Sequence, residues 1–301
     1  MASILEQLPP GARVAVIRLR SLGDCVLLTP ALEILKRARP DLRVTVVVEE
    51  AFAEVFEGNP DVDALLPPRL RAVKGFSPEL CLNLHGGTRS LRLTAFSGAR
   101  FRAGFGHFRF GFVHNVKIPR AQEILGEERK VHTAEHMASA MFYLGAPRVE
   151  IPRARLFVDP GAPLFGPPYA VIHPLASEPA KTWPAEKFLA LARQLPMRCV
   201  FIAGAGQNLS AFKEHRTLAG ESIHQIKRLL QRATLFVGND SGPAHMAAAL
   251  GIPTVVIFGK SDPVIWGPWK APAETVVARG PISGISVDEV QGAIERLGVP
   301  A

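Results

Sequence analysis

At 301 residues, with 48% hydrophobic and 21% charged side chains, the chain has a soluble globular composition and a length that suits two domains better than one core. It has no apolar run of roughly 18 residues to span a membrane, and its start, MASILEQLPPGAR, lacks a secretory leader's pattern. Cys25, Cys81 and Cys199 are too few and too scattered for a disulfide framework or a thiolate metal set, and the net charge of +8 points to an anionic partner.

The elements alternate. RVAVIRL reads as a strand, then a loop reaches Asp24 and a helical pattern runs through Arg37 until Pro40 stops it. RVTVVV is a second strand, EAFAEVFEG a helix closed by Gly58, and ELCLNL and ARFRAGF are further strands. Such continuously apolar runs suit parallel strands buried on both faces. The stretch 145–168 is rich in Pro and Gly and reads as a linker. Beyond it YAVIHP is a strand, PAEKFLALARQL a helix and RCVFIAG a strand; NLSAFKEHRTLA and SIHQIKRLLQRA read as helices. TLFVGN, SGPAHMAAAL and PTVVIFG close the series as strand, helix and strand. Two doubly wound α/β domains are expected, at 1–160 and 161–301, facing each other across a cleft.

The two halves carry +4 each, but 69–120 alone carries +9. Its basic residues are Arg69, Arg71, Lys74, Arg89, Arg92, Arg100, Arg102, Arg109, Lys117 and Arg120, against Glu79. Singly each suits a solvated face; together they suit an anionic acceptor. The segment has no recognised nucleic-acid motif and the chain is only 7% aromatic, so nucleic acid is not the expected partner.

Four loops follow strands. In RLRSLGDCVLLTPAL, Gly23 allows a tight turn or a close ligand approach, and Asp24 either caps the helix or stands as a general base. The absence of G-x-G-x-x-G argues against a nicotinamide enzyme. In HPLASEPAKTWP, Ser177, Lys181 and Thr182 precede a helix, where a lysine pairs with phosphate or simply faces solvent. In AGAGQNLS, Gly204 and Gly206 offer backbone N–H groups to an anion or ribose. In LFVGNDSGPAHMAAALG, Asp240 and Ser241 suit an N-cap and Gly242 and Pro243 a first helical turn. The polar run is longer than a cap needs, and with His245 it suits an anion site. Lys260, Ser261 and Asp262 add a polar loop after the next strand.

DSGPAHMAAALGIPTVVIFGKSDP, together with RLRSLGDCVLLTPAL and the Lys-x-Trp-Pro turn, resembles the family 9 glycosyltransferases, the ADP-heptose:lipopolysaccharide heptosyltransferases. The resemblance implies a GT-B fold and inverting transfer of heptose from ADP-heptose to a lipopolysaccharide core acceptor, without a metal or other cofactor. It implies Asp24 as the base, Lys181 near the sugar-nucleotide phosphates, and Asp240, Ser241 and Gly242 on the diphosphate and heptose. Many members carry an acidic residue near the ribose where this chain has Gln207 and Asn208; an amide still hydrogen-bonds a ribose hydroxyl. The acceptor side falls to Gly23, Arg69, Arg71, Lys74, Arg100 and Arg102, and a lipid-linked acceptor implies peripheral contact with the cytoplasmic face of the inner membrane. Alternatives are another nucleotide-sugar, an epimerase on the same architecture, or a protein that binds nucleotide-sugars without turnover.

Overall fold

The structure, a computed structural model, describes residues 2–108, 110–159, 161 and 164–299; Arg109 of the basic segment lies outside them. The chain divides into two compact units, Met1–Ala154 and Arg155–Ala301.

In the first unit β1 (Arg13–Ile17) leads to α1 (Leu22–Ala38), then β2 (Arg43–Val47), β3 (Ala64–Leu66), α2 (Leu70–Phe76), β4 (Leu80–Asn83) and α3 (Thr88–Ala95). β5 (Phe101–Phe105), β6 (Val116–Ile118), α4 (Ala121–Leu125) and α5 (Thr133–Leu144) complete it. The strands form one parallel sheet in the order β3-β2-β1-β4-β5-β6. Alternation along the buried strands gives the sheet two apolar faces. Ala15, Ile17 and Cys81 pack with Val73 of α2 and Leu93 of α3. That leaves the opposite face to α1 and α5, which pack on each other.

The second unit repeats the plan. It runs β7 (Tyr169–His173), α6 (Ala185–Gln194), β8 (Arg198–Ala203), β9 (Arg216–Ala219), α7 (Ile223–Leu230), β10 (Leu235–Asn239) and α8 (Gly242–Leu250). β11 (Thr254–Phe258), α9 (Pro263–Trp266), β12 (Ala273–Val277) and α10 (Val287–Arg296) follow. Its parallel sheet has the order β12-β11-β10-β7-β8-β9, the same order as the first read from the other edge. Both units are therefore Rossmann-like α/β sheets. Trp183, Phe188, Phe201 and Phe212 anchor the core on one side of the second sheet.

Two helical expectations change. NLSAFKEHRTLA holds only a 3-10 turn at Ser210–Phe212 before β9 pairs with β8. Phe212 reaches Phe201 of β8 and stacks on it at 4.4 Å, which turns the chain toward the sheet edge instead of along a helix. The chain at Glu50–Val55 coils as a 3-10 helix, with Val55 its one fully buried side chain; one inward residue gives an α-helical face little to bury. Gly23 is not a turn glycine: it is a buried residue in the first turn of α1, outside the positive-φ set.

Candidate functional site

The order of each sheet fixes where a ligand can lie. Connections leave β1 and β4 in opposite directions, so their loops part at the carboxyl edge; β7 and β10 repeat the arrangement.

In the first unit Asp24 stands in the opening turn of α1, with Ser21 as N-cap. Its Oδ2 accepts from the Ser21 hydroxyl at 2.9 Å and from the Ser21 backbone N–H at 3.3 Å. Its Oδ1 faces the Arg18 guanidinium in an ion pair, both side chains being largely shielded. The other arm of Arg18 donates to the Leu84 carbonyl at 2.6 Å, tying the loop after β1 to the loop after β4. Asp24 is thus both part of the helix start and a carboxylate held at the edge where a base would act. Oδ2 accepts both Ser21 bonds, and Oδ1 is buried against Arg18.

The loop after β4 turns on Asn83, which is fully buried and whose Oδ1 accepts from the N–H groups of His85 and Gly86 at 3.0 and 3.1 Å. The His85 ring lies over Gly87 at the start of α3. Beyond β5, Phe105 stacks on His136 of α5 at 3.9 Å, with His107 5.7 Å from His136. Burial, then His107 and Arg18, pull His136 down to about 4, so it is a neutral imidazole at pH 7. Neither Arg18 nor this histidine wall was singled out from the sequence. The signal was present: a basic residue closing an apolar strand, and HGGT opening the next helix.

In the second unit Asn239, the last residue of β10, is fully buried. Its Oδ1 accepts from the Trp183 backbone N–H at 2.9 Å, and its Nδ2 donates to the Pro174 carbonyl at 2.9 Å. The Trp183 indole, also buried, donates to the Ile285 carbonyl at 3.0 Å. These bonds hold the loop after β7 against the end of β10. They bring Lys181, the last residue of a 3-10 turn, within 3.8 Å of Asp240. Thr182 closes that turn, its hydroxyl donating to the Glu178 carbonyl at 2.9 Å, while Ser177 is exposed just before it. At position 259 a Cβ would sit 2.3 Å from the Ala180 carbonyl, so the glycine there permits the turn's close approach to the end of β11.

Ser241 is the N-cap of α8, followed by Gly242 and Pro243 in its first turn. Its hydroxyl donates to the Asn239 carbonyl at 3.0 Å and lies 3.0 Å from His173 Nδ1. A hydroxyl has one proton, so Nδ1 is the donor of that pair. Burial pulls His173 down to about 4 and keeps it neutral. Ser241 therefore braces the helix start, and Lys181 stands beside Asp240, the residue just before Ser241. His245 is buried one turn into α8. Gly204, Gly206 and Gln207 follow β8, the neighbour of β7; Gly206 has φ +76, and Gln207 Oε1 accepts from the Gly204 N–H at 2.7 Å. Asp262 caps α9 by accepting from the Val264 N–H at 2.9 Å.

The basic residues separate. Arg69 is the N-cap of α2, with Arg71 and Lys74 along that helix. Arg100 and Arg102 lie at the amino end of β5, opposite the edge that bears Asp24. Arg102 donates to the carbonyls of Ala99 and Val113, and Arg100 covers Phe101 at 4.7 Å. These two brace the strand and do not share the Asp24 edge.

Residues 70–283 match the model of glycosyltransferase family 9 (heptosyltransferase). The chain belongs to that family. It is 25% identical over 287 residues to the lipopolysaccharide heptosyltransferase 3 of Escherichia coli, covering 82% of this chain and 84% of that one. The solved family 9 glycosyl transferase of Veillonella parvula superposes with a TM-score of 0.84 at 22% identity, over 96% of this chain and 98% of that one. The E. coli ADP-heptose lps heptosyltransferase II gives 0.81 at 20% identity, over 95% and 98%. The fold of the family 9 member described here is thus the GT-B type, two Rossmann-like units.

Asn239 generates the first prediction. Asn239→Ala orphans the Trp183 N–H and the Pro174 carbonyl, and about 1–3 kcal/mol for each unsatisfied buried group lowers stability by roughly 2–6 kcal/mol. Denaturant unfolding measures it; a loss below about 0.5 kcal/mol contradicts the clasp.

Proposed function

We propose that the protein transfers a heptose from ADP-heptose to a lipopolysaccharide core acceptor, by inversion and without a metal. The observation that carries this reading is the convergence of Lys181, Asp240 and the α8 N-terminus at the switch point of the second sheet. A cation beside the positive end of a helix suits a sugar diphosphate. The family match and the names of the relatives, lipopolysaccharide and ADP-heptose heptosyltransferases, support the donor and acceptor classes.

In the proposed step an acceptor hydroxyl oxygen bonds the anomeric carbon of the heptose while the bond from that carbon to the phosphate oxygen breaks. The hydroxyl proton passes to an Asp24 carboxylate oxygen, because an alcohol is too weak an acid to react unaided at neutral pH. ADP leaves with the bonding pair. Lys181 and the positive end of α8 stabilise its developing charge from fixed positions. A single displacement needs one base and no covalent intermediate, which is why one carboxylate suffices and the anomeric configuration inverts. The Gly204–Gln207 loop supplies backbone groups and an amide for the ribose. An acceptor anchored in lipid places the reaction at a membrane surface, and ADP-heptose as a cytoplasmic metabolite places it on the inner membrane's cytoplasmic face. No helix among the described residues is long and apolar enough to cross that membrane.

Asp24→Asn is expected to lower the transfer rate by about 10²–10⁴-fold while ADP-heptose binding is unchanged. A variant that retains full turnover removes Asp24 from the role of base. Lys181→Ala is expected to weaken ADP-heptose binding by about 10–100-fold, the loss of one charge-assisted contact, while exhaustive chelation leaves wild-type transfer intact. Unchanged affinity, or transfer abolished by chelation and restored by a divalent ion, contradicts the metal-free stabilisation.

A further inference from the structure

The first unit carries a surface that the site chemistry does not use. Phe112 is 78% exposed, Phe96 60%, Phe110 44% and Leu70 41%, a group of large apolar side chains left in water. Phe96 and Leu70 line one groove of about 330 Å³ between α2 and α3, together with Pro68, Arg89, Arg92 and Leu93. The 3-10 turn Gly111–Val113 lies against α3, and the Phe110 and Phe112 rings meet edge to face at 6.1 Å. Scattered exposed apolar residues are ordinary; a group gathered on one helical face is not.

The charge around this face has one sign. Arg69, Arg71 and Lys74 are exposed on α2 and Arg92 on α3, and none of the four makes an ion pair among the described residues. Arg89 pairs with Glu49 at 2.9 Å, the face's single recorded neutralisation. Exposed phenyl rings ringed by unpaired arginines match the boundary of an anionic bilayer. The rings enter the region between headgroups and acyl chains, and the guanidinium groups take the phosphates. A soluble anion offers nothing to the rings, and a neutral apolar partner offers nothing to the arginines.

We propose that the α2–α3 face, with Phe96 and Leu70 in its groove, Phe112 on the neighbouring 3-10 turn and Arg69, Arg71, Lys74 and Arg92 on its two helices, docks this protein on an anionic phospholipid bilayer. α3 starts at the carboxyl edge of the first sheet, from the β4 loop that Arg18 ties to Asp24, and runs from there toward Phe96 and the amino end of β5. The proposal deepens the reading of a lipid-linked acceptor, and vesicle binding tests it without any acceptor.

The experiment is sedimentation of the full chain with vesicles of phosphatidylethanolamine and phosphatidylglycerol, compared with phosphatidylcholine alone. The expected result is binding to the anionic vesicles that weakens with salt and is at least tenfold weaker to phosphatidylcholine. Phe96→Ser with Phe112→Ser is expected to reduce anionic-vesicle affinity by at least about tenfold. Arg92→Gln is expected to reduce it by about fivefold. Unchanged calorimetric binding of ADP-heptose by both variants shows that they fold. Equal vesicle binding by wild type and the double phenylalanine variant overturns the proposal, as does no vesicle binding by a wild type that still binds ADP-heptose. Concentration-dependent self-association abolished by the same substitutions, with vesicle binding unaffected, assigns the face to a second copy and also overturns it.

Discussion

The Asn239 carboxamide is the contact on which the second unit's site depends. It closes the gap that the sheet order opens between β7 and β10, with one bond to the Trp183 amide and one to the Pro174 carbonyl. Without it, the loop that carries Lys181 would lose both of its side-chain bonds to the end of β10, leaving the buried Trp183 indole and the 3-10 turn to hold it near Asp240. A polar side chain with no exposure is tolerable because both ends of its amide are satisfied. The polarity of the NDSGPAH stretch thus has two sources. Asn239 and Ser241 are structural, and the charged pair beside them, Asp240 and Lys181, is the part the proposed transfer uses.

The first unit solves the same geometrical problem with a similar part. Asn83 ends β4 as Asn239 ends β10, and it too folds the following loop through its side-chain oxygen. Arg18 then takes the bridging role, joining the Leu84 carbonyl to Asp24 across the switch point. Two equivalent strand ends support different chemistry: a held carboxylate on one unit, and a cation with a helix N-terminus on the other. A base and a leaving-group stabiliser are the two parts that a single-displacement transfer requires.

Much of this was legible in the sequence because buried parallel strands leave long apolar runs. All the interior strands and the helices α1, α6, α7 and α8 announced themselves that way. The edge strands did not. β3 and β6 have three residues each, β12 alternates with exposed positions, and β9 sits in a stretch whose composition suits a helix. Strand-end loops were readable as places where costly residues stand, which drew attention to Asp24, Lys181 and Asp240. Which polar residue bonds the protein and which faces outward was not readable. Asn239 satisfies backbone groups that come from far along the chain, and Ser241 meets the distant His173 ring while bonding the Asn239 carbonyl two residues back. The charge cluster of the sequence divides in the fold at Arg100 and Arg102, because a strand carries its first residues to the sheet edge opposite its last.

The central claim is that the end of β10 and the start of α8 form a site for ADP-heptose. Calorimetric titration with ADP-heptose, with GDP- and UDP-sugars as controls, tests it most directly. The account predicts saturable binding of ADP-heptose in preference to the controls. Binding of a GDP- or UDP-sugar with no binding of ADP-heptose would contradict it.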